Sequence, residues 1–173
     1  MGDKKPGITC TLRQLNDIIF KNTSEEISKS GRWPLIIDPQ GMSSTFLRHR
    51  DTNYLVGLHP SEMQPERIRI GLLGAMRYGK PFVLDLMEDN FVFNNVCSPR
   101  FDEVYPGLMK DIITKNILKP EIYEKLGRSD DPQEYSTMQI GGQQLDNFSF
   151  IVLTNNQSPP QELLDQFVPI WIE

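Results

Sequence analysis

The residues best suited to chemistry follow the apolar segments of this sequence, at the points where predicted strands end. They are the turn Asp38–Thr45, the acidic residues Asp85 and Glu88, and the polar run Thr154–Asn156. In an open parallel sheet, ligands bind beyond the carboxyl ends of the strands, so we expect these residues to lie together. The free amides of a helix N-terminus attract anions, nearby hydroxyl groups can add hydrogen bonds, and carboxylates are preferred ligands of Mg²⁺. Phosphate binding is therefore the first chemistry to consider.

A working phosphate loop demands more than this turn offers. It needs the spacing G-x-x-x-x-G-K-[ST], in which amides cradle the phosphates, Lys contacts the outer phosphates and a hydroxyl holds Mg²⁺. Here Gly41 stands alone, no Lys lies between Pro39 and Leu47, and Pro39 removes an amide donor. The positions of a degenerate nucleotide site are Pro39, Gln40, Gly41, Ser43, Ser44, Thr45, Asp85 and Asn155. We predict weak anion binding at most.

Other reactive side chains are isolated in the sequence. His49 and His59 have no partner at metal-ligand spacing, so we predict no metal site. Cys97 is a candidate nucleophile only if the fold brings a histidine to it. Two pairs of adjacent acids, Glu88–Asp89 and Asp102–Glu103, are typical of solvated loops. No catalytic residue is predicted.

The elements that must position these residues alternate along the chain. Five apolar segments read as strands, namely Trp33–Pro39, Tyr54–Val56, Pro81–Leu86, Phe148–Leu153 and Val168–Ile172. Helices are predicted from Thr11 to Ile19, over 23–30, after a cap at Ser43 or Ser44, from Pro65 to Gly79, over Val104–Leu118 and Pro120–Leu126, and after Pro159. This alternation predicts a three-layer α/β sandwich with a mainly parallel five-stranded sheet.

Three further features complete the predicted organisation. Residues 1–10 read as a leader or an added end, and residues 11–173 as one α/β domain. Met138–Leu145 reads as a β-hairpin, because Gly141-Gly142 is a favoured two-residue turn. Residues 87–135 read as a long insertion of helices and loops, where acquired function is most common.

Composition limits the class of protein. The chain has 173 residues, of which 38% are apolar and 24% charged, as expected for a globular domain. Its net charge of -5 and its scattered Lys and Arg residues disfavour nucleic acid as a partner, and the group Arg67–Arg77 is predicted to be a solvated helix face. No apolar run reaches the roughly 18 residues that span a bilayer. Two distant cysteines and no secretory segment predict a cytoplasmic location.

The order of these elements resembles an AAA module of the P-loop NTPase fold. In that fold the first strand leads into the phosphate loop, the third ends in paired acids, the fourth ends in a polar sensor, and the last helix ends in Arg-Phe. The closer resemblance is to the fifth, nucleotide-independent AAA module of the dynein heavy chain. It is carried by Arg32–Gly41, which is the most specific stretch, and by Ala75–Pro81, Ile140–Gly141 and Phe148–Ile151. It extends from Leu12 to Glu173 and includes only the large AAA subdomain.

The resemblance implies an inactive site. Asp85 is followed by Leu86 where a second acid belongs, and Gln166 stands where the Arg of the family acts in trans. Thr154 and Asn155 are similar to the sensor position. These losses imply no catalysis, no metal and no cofactor. The alternative is a regulatory switch that binds ATP with Mg²⁺ weakly and hydrolyses little.

The resemblance also implies a type of partner. A dynein-like module of this kind occurs in a larger protein with an IQ motif and ankyrin repeats, and the chain is interpreted as an excised domain of that type. We expect a scaffold or protein-interaction domain in a cytoskeletal or ciliary assembly, bound to a protein partner or to neighbouring domains, without membrane or nucleic acid. The apolar run Phe91–Val96 is a candidate partner surface, or it packs against the sheet edge.

Overall fold

A parallel sheet lies at the centre of the molecule. The computed structural model describes residues 5–173, and residues 1–4 of the predicted leader lie outside this range. Within it the strands are β1 (Ile8–Cys10), β2 (Pro34–Ile37), β3 (Asn53–Val56), β4 (Pro81–Asp85), β5 (Ser149–Thr154) and β6 (Val168–Ile172). Their order is β1-β6-β2-β5-β4-β3, and every neighbouring pair is parallel. The predicted mainly parallel α/β class is confirmed.

The sheet has six strands, whereas the sequence predicts five. The additional strand is β1. It lies in the segment predicted as a leader and pairs with β6, with Ile8 opposite Ile170. Three residues are too few for a periodic pattern to be recognised. Gly7 permits this pairing, because a Cβ at that position would lie 2.1 Å from the carbonyl oxygen of Pro169.

Helices cover both faces of the sheet and give three layers. They are α1 (Leu12–Phe20), α2 (Glu25–Ser30), α3 (Met42–Arg48), α4 (Pro65–Tyr78), α5 (Ser98–Asp102), α6 (Leu108–Ile113), α7 (Pro120–Tyr123), α8 (Gly142–Asn147) and α9 (Gln161–Gln166). One face carries α1 and α3, whose Leu15 and Leu47 belong to the same buried cluster as Ile36 of β2. The other face carries α4 and α9, whose Leu72 and Leu163 belong to the cluster of Phe82.

Several helix ends fall where the sequence predicts them. Thr11 and Gln14 form a reciprocal capping box at the start of α1. Helix α4 begins at Pro65, where the missing amide costs nothing, and ends before Gly79, whose φ is 69°. These local signals therefore positioned the longest helices correctly.

The predicted β-hairpin over Met138–Leu145 is wrong. A 3-10 turn (Thr137–Gln139) and helix α8 occupy this segment instead. The backbone of α8 lies against the end of α4, where a Cβ on Gly79 would approach the Gln144 carbonyl oxygen to 2.6 Å. The two glycines that suggested a hairpin supply positive φ angles of 150° and 62° at the start of α8. Tertiary packing has overridden a local turn signal.

The insertion over 87–135 is a chain of short helical pieces. The single helix predicted over Val104–Leu118 is broken into α6 and a 3-10 turn, because Gly107 and Lys115 have φ angles of 90° and 66°. A π-helical turn (Phe93–Cys97) precedes α5. Phe101 of α5 is fully buried and meets Phe82 and Phe150 edge-on. The insertion therefore contributes to the hydrophobic core on the face of the sheet that carries α4 and α9.

The prediction that the basic residues of α4 form a solvated face is wrong for Arg69. It is 3% exposed and forms a bidentate ion pair with Asp131, with nitrogen–oxygen distances of 2.8 and 2.7 Å. It also contacts Glu66 at 2.6 Å and donates to the carbonyl of Leu126 at 2.9 Å. The guanidinium thus fastens the end of the insertion to α4.

Candidate functional site

The polar residues singled out from the sequence meet at the carboxyl edge of the sheet. Strand β5 lies between β2 and β4, so the ends of these three strands are neighbours. The chain leaves β2 toward β3 at one edge and leaves β5 toward β6 on the other side of β2. This reversal is a topological switch point, the usual ligand position in an open parallel sheet. The structure therefore brings the turn Asp38–Thr45, Asp85 and Thr154–Asn156 together, as expected.

The turn after β2 is closed by the carboxylate of Asp38, a residue that is 1% exposed. Its Oδ1 accepts a hydrogen bond from the Gln40 amide at 3.1 Å, and its Oδ2 accepts one from the Ser43 amide at 2.6 Å. The Gly41 amide donates to the Asp38 carbonyl at 3.1 Å. A helix N-terminus presents unpaired amides and a partial positive charge, which phosphate satisfies in a phosphate loop. In this chain the Asp38 carboxylate satisfies one such amide of α3, that of Ser43, together with the Gln40 amide just before the helix.

The hydroxyl groups of the turn do not converge on a ligand. The predicted caps Ser43 and Ser44 do not cap α3, because Asp38 does so. Ser44 Oγ donates to the Gly41 carbonyl at 2.8 Å, and Thr45 is exposed. Ser43 Oγ is buried and has no hydrogen-bond partner within residues 5–173. The exposed Pro39 and Gln40 form the outer rim of the turn.

Asp85 ends β4 with both carboxylate oxygens engaged. One accepts a hydrogen bond from the Tyr54 hydroxyl of β3, and the other accepts one from the Met87 amide at 2.8 Å. Burial and then the bond to Asp85 raise the pKa of Tyr54 well above its ordinary value, so Tyr54 stays a hydrogen-bond donor. The Arg48 guanidinium lies 4.4 Å from the centre of the Tyr54 ring. Asp85 therefore anchors two neighbouring segments, which is a structural task.

Thr154 and Asn155 fasten the end of β5 to the start of the insertion. The Asn155 amide donates to the Met87 carbonyl at 2.7 Å, and the Thr154 hydroxyl lies within hydrogen-bond distance of that carbonyl and of Asn90 Oδ1. Met87 has a φ of 55°, a strained value for a residue with a side chain. Sequence reasoning missed Met87 and Asn90, and the only available signal was a polar residue just before the apolar run Phe91–Val96.

Three side-chain atoms in this region lack partners within the described part of the chain. They are Ser43 Oγ, Asn90 Nδ2 and Asn155 Oδ1, and all three atoms are buried. Buried polar atoms without a partner are rare and each calls for an explanation. A small polar ligand or water molecules that reached these atoms would gain hydrogen bonds.

The isolated candidates do not join this site. Cys97 is buried, and burial raises its pKa to about 12, so its thiolate is scarce near neutral pH. His59 contacts Glu62 at 2.6 Å on the surface, and His49 lies on an exposed turn after α3. Within residues 5–173 no cluster of His, Cys, Asp and Glu is suited to a metal ion.

The adjacent acidic pairs have local structural partners. Asp89 accepts a hydrogen bond from the Phe91 amide at 3.0 Å, and Asp102 accepts one from the Met109 amide at 3.1 Å. Glu103 forms an exposed ion pair with Arg100 at 3.1 Å. They close turns and surface contacts, so the structure gives no pair an acid–base role.

None of the protein-family models compared with this chain matches it. No helix over residues 5–173 has the length and apolar character needed to cross a bilayer.

Proposed function

We propose that this chain is a non-catalytic, dynein-related AAA-like domain that acts as a scaffold or protein-interaction module. One observation carries the proposal: the buried carboxylate of Asp38 already accepts hydrogen bonds from the Gln40 and Ser43 amides, in the turn at which a phosphate would bind. The domain keeps the parallel framework of a nucleotide-binding sheet, while its phosphate-binding turn is satisfied from within.

Electrostatics explain why a nucleotide is excluded. Two like unit charges 4 Å apart repel by about 4 kcal/mol at an effective dielectric constant of 20. A phosphate at the start of α3 would meet the Asp38 carboxylate, and the sequence offers no Lys between Pro39 and Leu47 to offset the repulsion. Loss of the Asp38 hydrogen bonds would add to the cost of displacement.

The other position needed for hydrolysis is also committed to structure. Each carboxylate oxygen of Asp85 already accepts a hydrogen bond, one from the Tyr54 hydroxyl and one from the Met87 amide, so a metal ion would compete with these bonds. Gln166 is half-buried at the end of α9 and carries no charge to stabilise a developing anion. These observations support the absence of turnover.

An apolar surface at the same edge supports the interaction role. Phe91 is 69% exposed, and Leu58 and Val96 are each 37% exposed. Leu58 follows Gly57, and a Cβ on Gly57 would lie 2.8 Å from the sulfur of Cys97, the neighbour of Val96. The backbone segments that carry Leu58 and Val96 are therefore neighbours. Of the run Phe91–Val96, Val92 and Phe93 pack inside while its other apolar residues remain on the surface.

The setting of this role comes from the resemblance. We propose a cytoplasmic location within a cytoskeletal or ciliary assembly, in which the apolar surface contacts a protein partner or a neighbouring domain. The net charge of -5 favours a protein partner over nucleic acid.

A nucleotide-binding switch is the second candidate. It is favoured by the buried polar atoms without partners at the carboxyl edge, Asn155 Oδ1, Asn90 Nδ2 and Ser43 Oγ. In that function ATP with Mg²⁺ would bind weakly beside Asn155 without being hydrolysed.

The substitution Asp38→Ala tests the proposal directly. The variant loses a helix cap, so its free energy of unfolding should fall by about 0.5–2 kcal/mol. The vacated amides should then accept an anion, and we expect tripolyphosphate to raise the melting temperature of Asp38→Ala more than that of the native protein.

Two further variants separate the loss of the helix cap from the loss of the negative charge. Asp130→Ala removes an exposed carboxylate from a loop and should leave both measurements unchanged. Asp38→Asn keeps a side-chain acceptor while removing the charge, so it should cost less stability than Asp38→Ala. If tripolyphosphate stabilises the native protein as much as Asp38→Ala, the carboxylate does not block the turn and the proposal fails.

A further inference from the structure

A cavity of about 590 Å³ opens at the amino edge of the sheet, opposite the candidate site. Its walls include the first residues of three strands: Pro34 of β2, Pro81 of β4 and Ser149 of β5. Helix α1 contributes Ile18 and Phe20 to its apolar lining. Cavities of about 300–1,000 Å³ that combine apolar walls with a few polar groups are typical of small-molecule sites.

Lys115 places one cation in this cavity. The residue is half-buried, and it forms no ion pair within the part of the chain that the structure describes. Its Nζ lies 4.2 Å from the centre of the Trp33 ring, whose indole nitrogen donates to the Ile112 carbonyl at 2.7 Å. Burial lowers the pKa of Lys115, because the ammonium loses part of its hydration. A charge held against an aromatic wall without a counter-ion is suited to an anionic ligand.

Backbone strain occurs at the same cavity. Within residues 5–173, three residues other than glycine have positive φ angles: Asn22, Met87 and Lys115. Asn22 and Lys115 both line the cavity. Lysine is poorly suited to the left-handed region, and strained residues cluster at ligand sites. Lys115 thus combines a left-handed backbone with a side chain that lies over Trp33.

The charges around the cavity favour a monoanion. Asp146 is the carboxylate on its wall, and it is exposed to solvent. A smaller cavity of about 400 Å³ shares Phe20 with the first and adds Arg50 and the ion pair of Lys80 with Asp51. Across the two cavities together the cations Lys115, Arg50 and Lys80 outnumber the carboxylates Asp146 and Asp51, although the whole chain carries a net charge of -5. One ammonium group balances one carboxylate, whereas a phosphate monoester would retain excess charge.

We propose that this cavity binds a small amphipathic carboxylate, a molecule with an apolar chain or ring and a single carboxylate head. The head pairs with Lys115, and the apolar body lies along Trp33 and the side chains of α1. This inference is independent of the proposed scaffold function, because the cavity and the nucleotide-like turn occupy opposite edges of the sheet.

Decanoate and decan-1-ol test the proposal by isothermal titration of the intact chain, with both probes kept below the concentration at which they aggregate. The two probes share an apolar chain and differ in the charge of the head. We expect the native protein to bind decanoate at least about tenfold more tightly than decan-1-ol, as a charge-assisted contact predicts. The indole NH signal of Trp33 should shift on binding in NMR spectra.

Variants of Lys115 complete the test. Lys115→Gln should weaken the binding of decanoate by about tenfold or more, and it should change the affinity for decan-1-ol by less than about threefold. Lys115→Gly, which suits the left-handed backbone, should give the same loss and guards against a folding defect. Lys110→Gln, an exposed lysine on α6, is the matched control and should bind decanoate like the native protein. Failure of decanoate to bind, equal affinity for both probes, or an unchanged Lys115→Gln would each overturn the proposal.

Discussion

Replacing Arg69 with alanine is expected to lower the free energy of unfolding by about 3–5 kcal/mol. The substitution leaves the Asp131 carboxylate, whose side chain is 5% exposed, without its bidentate partner. Breaking a buried ion pair from one side is costly because the remaining charge stays desolvated. The Leu126 carbonyl also loses a donor at 2.9 Å. Urea titration followed by circular dichroism measures the change.

The helix supplies a matched control for this experiment. Arg67 lies two residues away on α4 and is exposed, so Arg67→Ala should change stability by no more than about 0.5 kcal/mol. The double substitution Arg69→Met, Asp131→Leu removes both charges and should cost less than Arg69→Ala alone. An Arg69→Ala variant as stable as Arg67→Ala would contradict the role given to this pair.

The Arg69–Asp131 ion pair should make the stability difference between the native protein and Arg69→Ala depend on pH. The hydrogen bonds from Arg69 hold the pKa of Asp131 below its ordinary value of 3.8. A carboxylate with a lowered pKa stabilises the fold above its ordinary pKa, and this contribution is lost as the pH falls through the lowered value. The gap between the native protein and Arg69→Ala should therefore be largest near neutral pH and shrink below about pH 4.

Phe82→Ala is expected to destabilise the domain by about 3–5 kcal/mol. Phe82 of β4 is fully buried, stacks on Phe150 of β5 at a centroid distance of 5.5 Å and meets Phe101 of the insertion at 6.0 Å. It also contacts α4, where a Cβ on Gly71 would lie 3.0 Å from its ring. The cavity left by truncation would therefore separate the sheet from two helical elements at once.

The exposed Phe91 is the control for Phe82. Phe91→Ala removes the same atoms from a side chain that is 69% exposed, so stability should change by no more than about 0.5 kcal/mol. Urea unfolding of the two variants in parallel separates the loss of buried packing from the loss of a phenyl ring as such. If the variants lose equal stability, the buried aromatic cluster does not hold the insertion on the sheet.

Much of the framework was predictable because its signals are local. The apolar runs that became β2, β4, β5 and β6 are buried on both faces, so their composition alone marks them as strands. Pro65 and Gly79 fix the ends of α4 by their own backbone preferences. The parallel sheet then follows from the alternation of strands and helices.

The rest depends on contacts between distant residues. Strand β1 forms only because Ile8 reaches β6, more than 150 residues away along the chain. The segment around Gly141 becomes α8 because it packs on α4, although its two glycines also suit a hairpin. Arg69 is buried because Asp131 folds back onto it, a pairing that no short-range pattern reveals.

The sequence predicted which strand ends would meet, but it did not predict which side chain would occupy the turn between them. The ends of β2, β4 and β5 were expected to meet, and they do. The proposal that the site is inactive began from missing residues, and the hydrogen bond from the Ser43 amide to the Asp38 carboxylate supports it. Asp38 was available in the sequence, but its side-chain direction depends on the geometry of the turn.

The most direct test of the central claim is a thermal-shift titration of the native protein with ATP, ADP and GTP in the presence of Mg²⁺. A ligand that binds only the folded state adds about 2.7 kcal/mol of stability at a hundredfold excess over its Kd. We predict no rise in melting temperature at millimolar nucleotide, because Asp38 occupies the turn and no Lys attracts the phosphates. A saturable rise that Asp85→Ala or Ser43→Ala abolishes would contradict the claim, and it would establish the domain as a nucleotide-binding switch.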